Sequence, residues 1–176
     1  MKIENLNYKL TPQNKACLLV AKKAHKNQTD KGGSPYINHP IRVANQIYKS
    51  FQIDRFVDNK EVKSLFLDIF VCVALLHDVI EDGNDRSHRL LEKYVSSGKI
   101  SQCIISSVNI LTRQRNESYF DYIKRIEESK DFFAIEVKKF DLLDNMDLSR
   151  IPIPTKQDEM RNSKYAVALK RLRKQY

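Results

Sequence analysis

The amino-acid sequence predicts an all-α protein folded as one helical bundle. Only 4 glycines and 5 prolines interrupt its 176 residues. Long segments repeat apolar residues at the three- and four-residue spacing of one helix face, and no stretch alternates apolar and polar residues for long enough to build a sheet. The length suits a single core, so we expect residues 1–176 to form one domain.

Three helices are predicted in the first half of the chain. Thr11 followed by Pro12 is typical of a helix start, because threonine caps free backbone N–H groups and proline suits the first helical position. Pro40 opens the second helix in the same way. The predicted order is a helix to about His25, a loop at Asn27–Asn38, a helix from Pro40, a connector at Phe51–Asn59 and a long helix at Glu61–Ile80.

The second half continues as helices joined by short connections. Asp85 is predicted to cap the next helix, which Ser97 and Gly98 end. The segment Ile100–Leu111 is helical or locally β-like, because β-branched residues are frequent in it. Ile151–Pro154 must be extended, since each proline disfavours helix at its own position and the one before. The remaining predicted helices are Glu117–Glu128, Phe132–Leu148 and Lys156–Arg173.

Composition and charge narrow the class of protein. The chain is 41% hydrophobic and 30% charged, which is typical of a soluble globular protein. It has no apolar run of membrane-spanning length and no apolar N-terminal core of a secretion signal, so we expect a cytoplasmic protein without a membrane partner. The net charge of +9 favours a polyanionic partner, although a solvated lysine-rich surface is the alternative.

Cysteine usage predicts core packing. Cys17, Cys72 and Cys103 are far apart and form no CxxC pair. Each lies in an apolar helical pattern, so we expect small buried residues, not a disulfide framework or a zinc site.

The segment from Ala74 to Asp82 carries the strongest chemical signal. An apolar run ends there in one imidazole and three carboxylates, His77, Asp78, Glu81 and Asp82. On a continuous helix, His77 and Glu81 share a face, as do Asp78 and Asp82. Carboxylates at a helix C-terminus are unfavourable, because their charge opposes the helix macrodipole. A bound divalent cation would remove this unfavourable interaction. The alternative is a solvated helix end followed by an acidic turn.

Two other segments carry ligand-type residues. His39 precedes Pro40 at the predicted start of a helix, and Asp141 lies within an apolar helical stripe. Together with His77 and Asp78 they form a nitrogen and oxygen set that suits manganese, iron, zinc or another first-row cation. Open coordination positions would take water and a substrate oxygen, and Glu81 and Asp82 would orient or deprotonate that water.

The order His39, His77-Asp78, Asp141 resembles the H…HD…D signature of the HD metal-dependent phosphohydrolases. Residues 24–28, 31–40 and 74–82 more closely resemble the hydrolase domain of the RelA/SpoT homologues, in particular the small alarmone hydrolases that include the metazoan SpoT homologue. The likeness runs from about Ala16 to Tyr165. It implies a helical HD domain, one Mn²⁺ ion, and hydrolysis of the 3′-pyrophosphate of ppGpp and pppGpp, the alarmones of the stringent response. The products would be GDP or GTP and pyrophosphate.

The resemblance also implies roles for single residues. The implied metal ligands are His39, His77, Asp78 and Asp141. Glu81 and Asp82 match the carboxylate pair that activates water. The residues implied to bind the nucleotide polyphosphate are Lys31, Arg115, Asn145, Arg161 and Tyr165.

Two positions depart from the family pattern and leave alternatives open. Asp30 stands where many long members carry an arginine that packs on guanine, and Asp144 stands where a histidine is common. A different nucleotide, such as ppApp or NADPH, is therefore a second hypothesis for the substrate. A third is a non-catalytic nucleotide sensor or a nucleic-acid-binding module. The basic final helix lacks the interleaved aromatic residues of a single-strand platform, which disfavours nucleic acid. The sequence does not predict the oligomeric state.

Overall fold

Helices occupy most of residues 4–51 and 57–174, which are the residues that the computed structural model describes. Neither range contains a β-strand, and an isolated antiparallel bridge joins Thr29 to Pro35. The all-α prediction is confirmed. The helices are α1 Pro12–Ala24, α2 Asn38–Ser50, α3 Lys60–Leu76, α4 Val79–Asp82, α5 Asp85–Ser96, α6 Gln102–Leu111, α7 Tyr119–Ser129, α8 Phe132–Met146 and α9 Lys156–Leu172, with a 3₁₀ helix at Leu148–Arg150.

Helix α3 lies at the centre of the bundle because its C-terminal half is apolar on every side. The run Phe70–Leu76 is completely buried, as expected for a helix that is hydrophobic all round. Helices α1, α2, α6 and α8 pack around α3, while α9 packs on α8 and α5 on α1. This packing brings the end of α3 next to the start of α2 and the C-terminal half of α8.

Side-chain caps define most helix starts. Thr11 caps α1 as predicted, and its side chain accepts a hydrogen bond from the backbone N–H of Asn14. The prediction for α5 was wrong by one residue, because Asn84 is the cap and Asp85 is the first helical residue. Asparagine caps as well as aspartate, and a carboxylate is also favourable in the first turn, where it meets the positive end of the helix dipole.

Two helix boundaries near the candidate site differ from the prediction. Helix α2 begins at Asn38, two residues before Pro40, whose missing N–H still falls among those without an intrahelical partner. Helix α3 ends at Leu76 and does not continue to Ile80. The reason is His77, whose Nδ1 lies 2.7 Å from the Ala74 carbonyl oxygen, the acceptor that a continuing helix would use for the next N–H. His77 and Glu81 therefore do not share one continuous helix.

Other predictions have mixed outcomes. The segment after Ile100 is helical, not β-like. Cys17 and Cys72 are buried as predicted, whereas Cys103 is exposed because the first turn of α6 faces solvent. In the predicted connector before α3, residues 52–56 lie outside the described residues. Among the described helices, none is long and apolar enough to cross a membrane.

Candidate metal centre

Three helical segments bring two imidazoles and two carboxylates together. His39 lies in the first turn of α2, His77 and Asp78 follow α3, and Asp141 lies in α8. His39 Nε2 is 3.6 Å from Asp78 Oδ2 and 3.1 Å from Asp141 Oδ1. His77 Nε2 is 3.1 Å from Asp78 Oδ2 and 3.6 Å from Asp141 Oδ1. The ligand atoms of His39, His77 and Asp78 all lie within 4.8 Å of one another, and Asp141 lies next to both histidines.

Both imidazole rings are held through Nδ1. His39 Nδ1 lies 2.8 Å from Asp144 Oδ2, and His77 Nδ1 contacts the Ala74 carbonyl oxygen. A carbonyl oxygen only accepts, so Nδ1 of His77 carries the hydrogen and Nε2 of the neutral ring presents its lone pair. Neither buried Nε2 atom makes a regular hydrogen bond within residues 4–51 and 57–174. Buried nitrogen lone pairs beside two carboxylates fit a divalent cation.

Burial and mutual charge shift the protonation of these groups. Burial disfavours the charged form of His77, but the charges and hydrogen bonds of Asp78 and Asp141 together outweigh burial and raise the pKa of His77 well above its ordinary value. Burial would raise the pKa of the Asp141 carboxyl, yet the Lys138 ammonium and the two histidines hold that pKa well below its ordinary value. Protons and a metal ion therefore compete for the same nitrogen atoms.

Lys138 belongs to the candidate site, although the sequence interpretation did not single it out. Its Nζ donates a hydrogen bond to Asp141 Oδ2 at 2.8 Å, and it lies 4.9 Å from the ring centre of Tyr122. Burial would lower the pKa of Lys138, but the charge and hydrogen bond of Asp141, together with the neighbouring tyrosines, outweigh burial and raise that pKa well above its ordinary value. The spacing of three residues from Asp141 was the available signal, but one lysine does not stand out among 31 basic residues.

Glu81 and Asp82, the predicted water-activating pair, lie on the short helix α4. Glu81 Oε2 accepts a hydrogen bond from the backbone N–H of Arg113 at 3.1 Å, which ties α4 to the segment after α6. Partial burial and the charges of Asp78 and Glu81 raise the pKa of Asp82 to about 6. A carboxyl group whose pKa is this close to neutral is suited to accept a proton and return it.

A cavity of about 220 Å³ adjoins the cluster. Two of its lining residues also touch the candidate ligands. Tyr36 Oη donates to Asp78 Oδ2 at 2.7 Å, and Asn145 Nδ2 donates to Asp141 Oδ1 at 2.6 Å. The predicted substrate residues that line the cavity are Lys31, Asn145, Arg161 and Tyr165. Arg115 does not line it and lies exposed between α6 and α7.

Arg150 is a further cavity residue that the sequence interpretation missed. It lies in the 3₁₀ helix after α8, and its guanidinium approaches Asp144 Oδ2 at 3.2 Å and Asp30 Oδ2 at 3.6 Å. The loop before α2 packs closely against it, because a Cβ at Gly32 would lie only 2.3 Å from the Arg150 carbonyl oxygen. A glycine is therefore needed at position 32 for this wall of the cavity to close.

Lys31 and Arg161 meet at a single carboxylate on the cavity rim. Lys31 Nζ lies 2.6 Å from Asp158 Oδ1, and the Arg161 guanidinium donates to the same oxygen. Asp158 Oδ2 accepts from the backbone N–H and hydroxyl of Thr155, which caps α9. The hydrogen bond from Lys31, followed by those from Thr155, holds the pKa of Asp158 below its ordinary value. Asp158 thus fixes two cations beside the cavity.

Comparison with known proteins identifies one relative and one similar structure. The guanosine-3′,5′-bis(diphosphate) 3′-pyrophosphohydrolase of Haemophilus influenzae is 28% identical over 131 residues, which are 73% of this chain and 17% of that protein. The structure of a metazoan ortholog of SpoT, which hydrolyses ppGpp and plays a role in starvation responses, has a TM-score of 0.63 at 23% identity. The match covers 94% of this chain and 85% of the ortholog chain.

In sequence, the chain is similar to a SpoT-type hydrolase. That likeness agrees with the resemblance seen in the sequence, and the structural likeness confirms the helical fold. No protein-family model matches the chain. It spans about 17% of the length of the SpoT-type relative from Haemophilus influenzae.

Proposed function

We propose that this protein is a divalent-metal-dependent hydrolase that removes the 3′-pyrophosphate of ppGpp or pppGpp. The observation that supports this proposal most strongly is the convergence of His39, His77, Asp78 and Asp141, with both histidine Nε2 atoms buried and without a regular hydrogen bond in the described ranges. The activities named for the SpoT-type relatives support guanosine tetraphosphate as the substrate.

The four convergent side chains are the proposed ligands of the ion, with manganese as the first candidate among first-row cations. When bound, such an ion polarises a phosphoryl oxygen and lowers the pKa of water. Tyr36 and Asn145 hold the carboxylates of Asp78 and Asp141 in place through their hydrogen bonds. Lys138 offsets part of the negative charge that four such ligands and a polyphosphate bring together.

The proposed reaction breaks the bond between the ribose 3′ oxygen and its phosphorus. The oxygen of water joins that phosphorus, pyrophosphate leaves, and the 3′ oxygen takes a proton. Asp82, whose pKa is raised to about 6, is the proposed acceptor of the proton from water. Glu81 holds α4 in place through the backbone of Arg113 and adds negative charge beside Asp82.

The basic residues of the cavity are proposed to bind the polyphosphate. Lys31, Arg150 and Arg161 line the cavity. Arginine matches phosphate oxygens with paired N–H groups, and the ammonium of lysine adds a compact charge. Tyr165 also lines the cavity and offers an aromatic ring there. Arg115, which is exposed and does not line the cavity, is proposed to contribute only through a contact with a long polyphosphate tail.

A second candidate substrate is ppApp or NADPH, and one observation favours it. Asp30 lies in the cavity wall and pairs with Arg150, in place of the arginine that would pack on guanine. A carboxylate does not provide the flat cationic face that stacks on a purine. The phosphate chemistry at the metal centre would be unchanged, but selection of the base would differ.

The test is to incubate purified protein with Mn²⁺ and each of ppGpp, pppGpp, ppApp and NADPH, and to separate the products by ion-exchange chromatography. We expect GDP and pyrophosphate from ppGpp, and no product after the metal is chelated. Asp78→Asn should abolish turnover while keeping the shape of the side chain, and Glu128→Gln on the exposed surface of α7 serves as the control. Turnover of ppApp or NADPH alone would select the second candidate. Mn²⁺ binding without any turnover would contradict an enzymatic role.

A further inference from the structure

We infer that Asp144 is a positioning residue of the metal centre, which fixes the ring of His39 in the tautomer and orientation that metal binding requires. The inference rests on the proposed function in one respect, that His39 is a ligand. It goes further because it assigns a role to a carboxylate that lies outside the four proposed ligands and contacts one of them.

The His39 ring lies between two carboxylates of one helix. Asp141 and Asp144 are three residues apart in α8 and therefore share a face. Asp141 Oδ1 lies 3.1 Å from Nε2 of His39, and Asp144 Oδ2 lies 2.8 Å from Nδ1 of the same ring. His39, Asp141 and Asp144 are each at most 4% exposed. One helix thus presents a proposed ligand to one ring nitrogen and an orienting group to the other.

Asp144 is itself held in a fixed orientation by α2, the helix that carries His39. Arg42 binds it through two parallel hydrogen bonds, Nε to Oδ1 at 2.9 Å and Nη2 to Oδ2 at 3.0 Å. Gln46 donates to Oδ1 at 3.3 Å, and Arg150 adds a contact from the cavity side. Paired guanidinium contacts of this kind favour the ionised carboxylate, which can only accept.

The consequence for His39 is a defined tautomer. An accepting carboxylate next to Nδ1 keeps the hydrogen on that atom, which leaves the lone pair of Nε2 for the ion. His77 obtains the same tautomer from the backbone carbonyl of Ala74. Because this acceptor belongs to the backbone, a side-chain substitution at position 74 does not remove it. Of these two orienting contacts, the one to His39 depends on a side chain and can be tested by mutation.

A purely structural role is the alternative, because the pair of Asp144 and Arg42 also joins α2 to α8. The two roles differ in what they do to metal affinity in folded protein. A structural ion pair would affect stability alone. A positioning residue would also affect affinity, and the loss would depend on whether the replacement still accepts a hydrogen bond from Nδ1.

The test compares Mn²⁺ binding by Asp144→Ala, Asp144→Asn and wild type, measured by isothermal titration calorimetry on protein shown to be folded by circular dichroism. Loss of an orienting partner typically weakens metal binding about 10- to 100-fold, which is our expectation for Asp144→Ala. Asp144→Asn should lose less, because its amide oxygen still accepts from Nδ1. In the Zn²⁺-loaded protein, the low-field proton resonance of the His39 Nδ1–H should persist in the asparagine variant and disappear in the alanine variant.

Glu136→Gln is the matched control. Glu136 is a buried carboxylate in the same helix and pairs with Lys139 at 2.6 Å. It lies eight residues before Asp144, about 12 Å along the helix axis. Its loss should lower stability, while Mn²⁺ affinity stays within about twofold of wild type, as is typical of distant sites.

The inference would be overturned, and the proposed function left standing, if both folded variants, Asp144→Asn and Asp144→Ala, bind Mn²⁺ as tightly as wild type. An equal loss of affinity in Glu136→Gln would overturn it as well, because the effect would then be one of stability. Failure of wild type to bind Mn²⁺ would overturn both the inference and the proposed function. If Asp144→Ala does not fold, the inference is decided by two measurements on Asp144→Asn, its Mn²⁺ affinity and its His39 Nδ1–H resonance.

Discussion

Tyr36 donates a hydrogen bond from its hydroxyl to Asp78 Oδ2 at 2.7 Å, so the loop before α2 restrains a carboxylate that follows α3. The ring of Tyr36 also contacts the ring of His39, with centroids 5.6 Å apart. One side chain therefore touches two proposed ligands that come from different helices. This relationship suggests that the loop and the metal centre are stabilised together.

Tyr36→Phe tests that coupling. The variant keeps the ring but removes a partly buried hydrogen bond to a carboxylate, which we expect to lower stability by about 1–2 kcal/mol. Asp78 would also be freer to turn away, so Mn²⁺ binding should weaken by a smaller factor than in Asp144→Ala. Chemical denaturation and calorimetric titration measure the two effects. Unchanged Mn²⁺ affinity would show that Asp78 does not need this contact.

Lys138→Met should increase the stabilisation that a metal ion gives. In the metal-free protein this change leaves the buried carboxylate of Asp141 without its ammonium partner, a loss that typically costs about 3–5 kcal/mol. A bound cation would replace the missing positive charge. The rise in melting temperature on adding Mn²⁺ should therefore be larger in the variant than in wild type, as measured by differential scanning fluorimetry. Lys164→Met, at a cation on α9 that stacks on Tyr119, serves as the control.

The opposite result for Lys138→Met, a smaller rise than in wild type, would mean that the lysine supports the ion and does not substitute for it. It would contradict the assignment of Asp141 as a ligand that the ammonium and the metal share.

Asp158→Asn should remove part of the loss of stability in acid. Hydrogen bonds from Lys31 and Thr155 hold the pKa of Asp158 below its ordinary value in the folded state. A carboxyl group whose pKa is lower in the folded than in the unfolded state stabilises the fold at pH values above its unfolded pKa, about 4. This stabilisation disappears as the pH falls through the folded-state pKa. Wild type should therefore be more stable than the variant at pH 6, and the difference should shrink below about pH 4.

Urea denaturation at a series of pH values checks this prediction. Asp121→Asn is a suitable control, because Asp121 is an exposed carboxylate in the first turn of α7 with a local serine partner. A difference between wild type and Asp158→Asn that stays constant with pH would show that the capping of α9, not the charge, accounts for its contribution.

Gly32→Ala should perturb the cavity more than the metal centre. The new methyl group would lie 2.3 Å from the Arg150 carbonyl oxygen, so the loop and the 3₁₀ helix must move apart. We expect a higher KM for the nucleotide with little change in Mn²⁺ affinity, measured by steady-state kinetics and calorimetry. Gly98→Ala is not a matched control, because Gly98 has a positive φ of 70° that strains alanine. The control is Ser96→Ala, at an exposed position of α5. An unchanged KM would indicate that this wall does not contact the substrate.

The apolar spacing of the sequence predicted the helical fold, and the order of four ligand-type residues predicted that they lie close together. Apolar spacing identifies a helix without any knowledge of its neighbours, and His39, His77-Asp78 and Asp141 follow a recognisable order. Lys138 and Arg150 were not predicted, since their roles come from contacts and not from a motif. Asp144 was noticed as a departure, but its partner His39 is 105 positions away and only the fold joins them.

The end of α3 illustrates the same limit. Periodicity predicts a helix that continues past His77, and nothing in the local sequence shows that an imidazole takes the Ala74 carbonyl. The contact between the His77 ring and this carbonyl competes with the next backbone hydrogen bond of the helix, and it depends on side-chain geometry. It ends the helix at Leu76 and turns the chain so that Asp78 can face His39 and His77.

That same imidazole complicates the most obvious mutagenesis of this protein. Replacing His77 would delete a proposed ligand and, in the same step, release a main-chain acceptor that α3 could use to grow by another turn. The residues after position 77 would then point in other directions. The inactivity of a His77 variant could therefore come from the changed backbone as much as from the missing metal ligand. Knockouts at position 39 or 78 separate these two effects more cleanly.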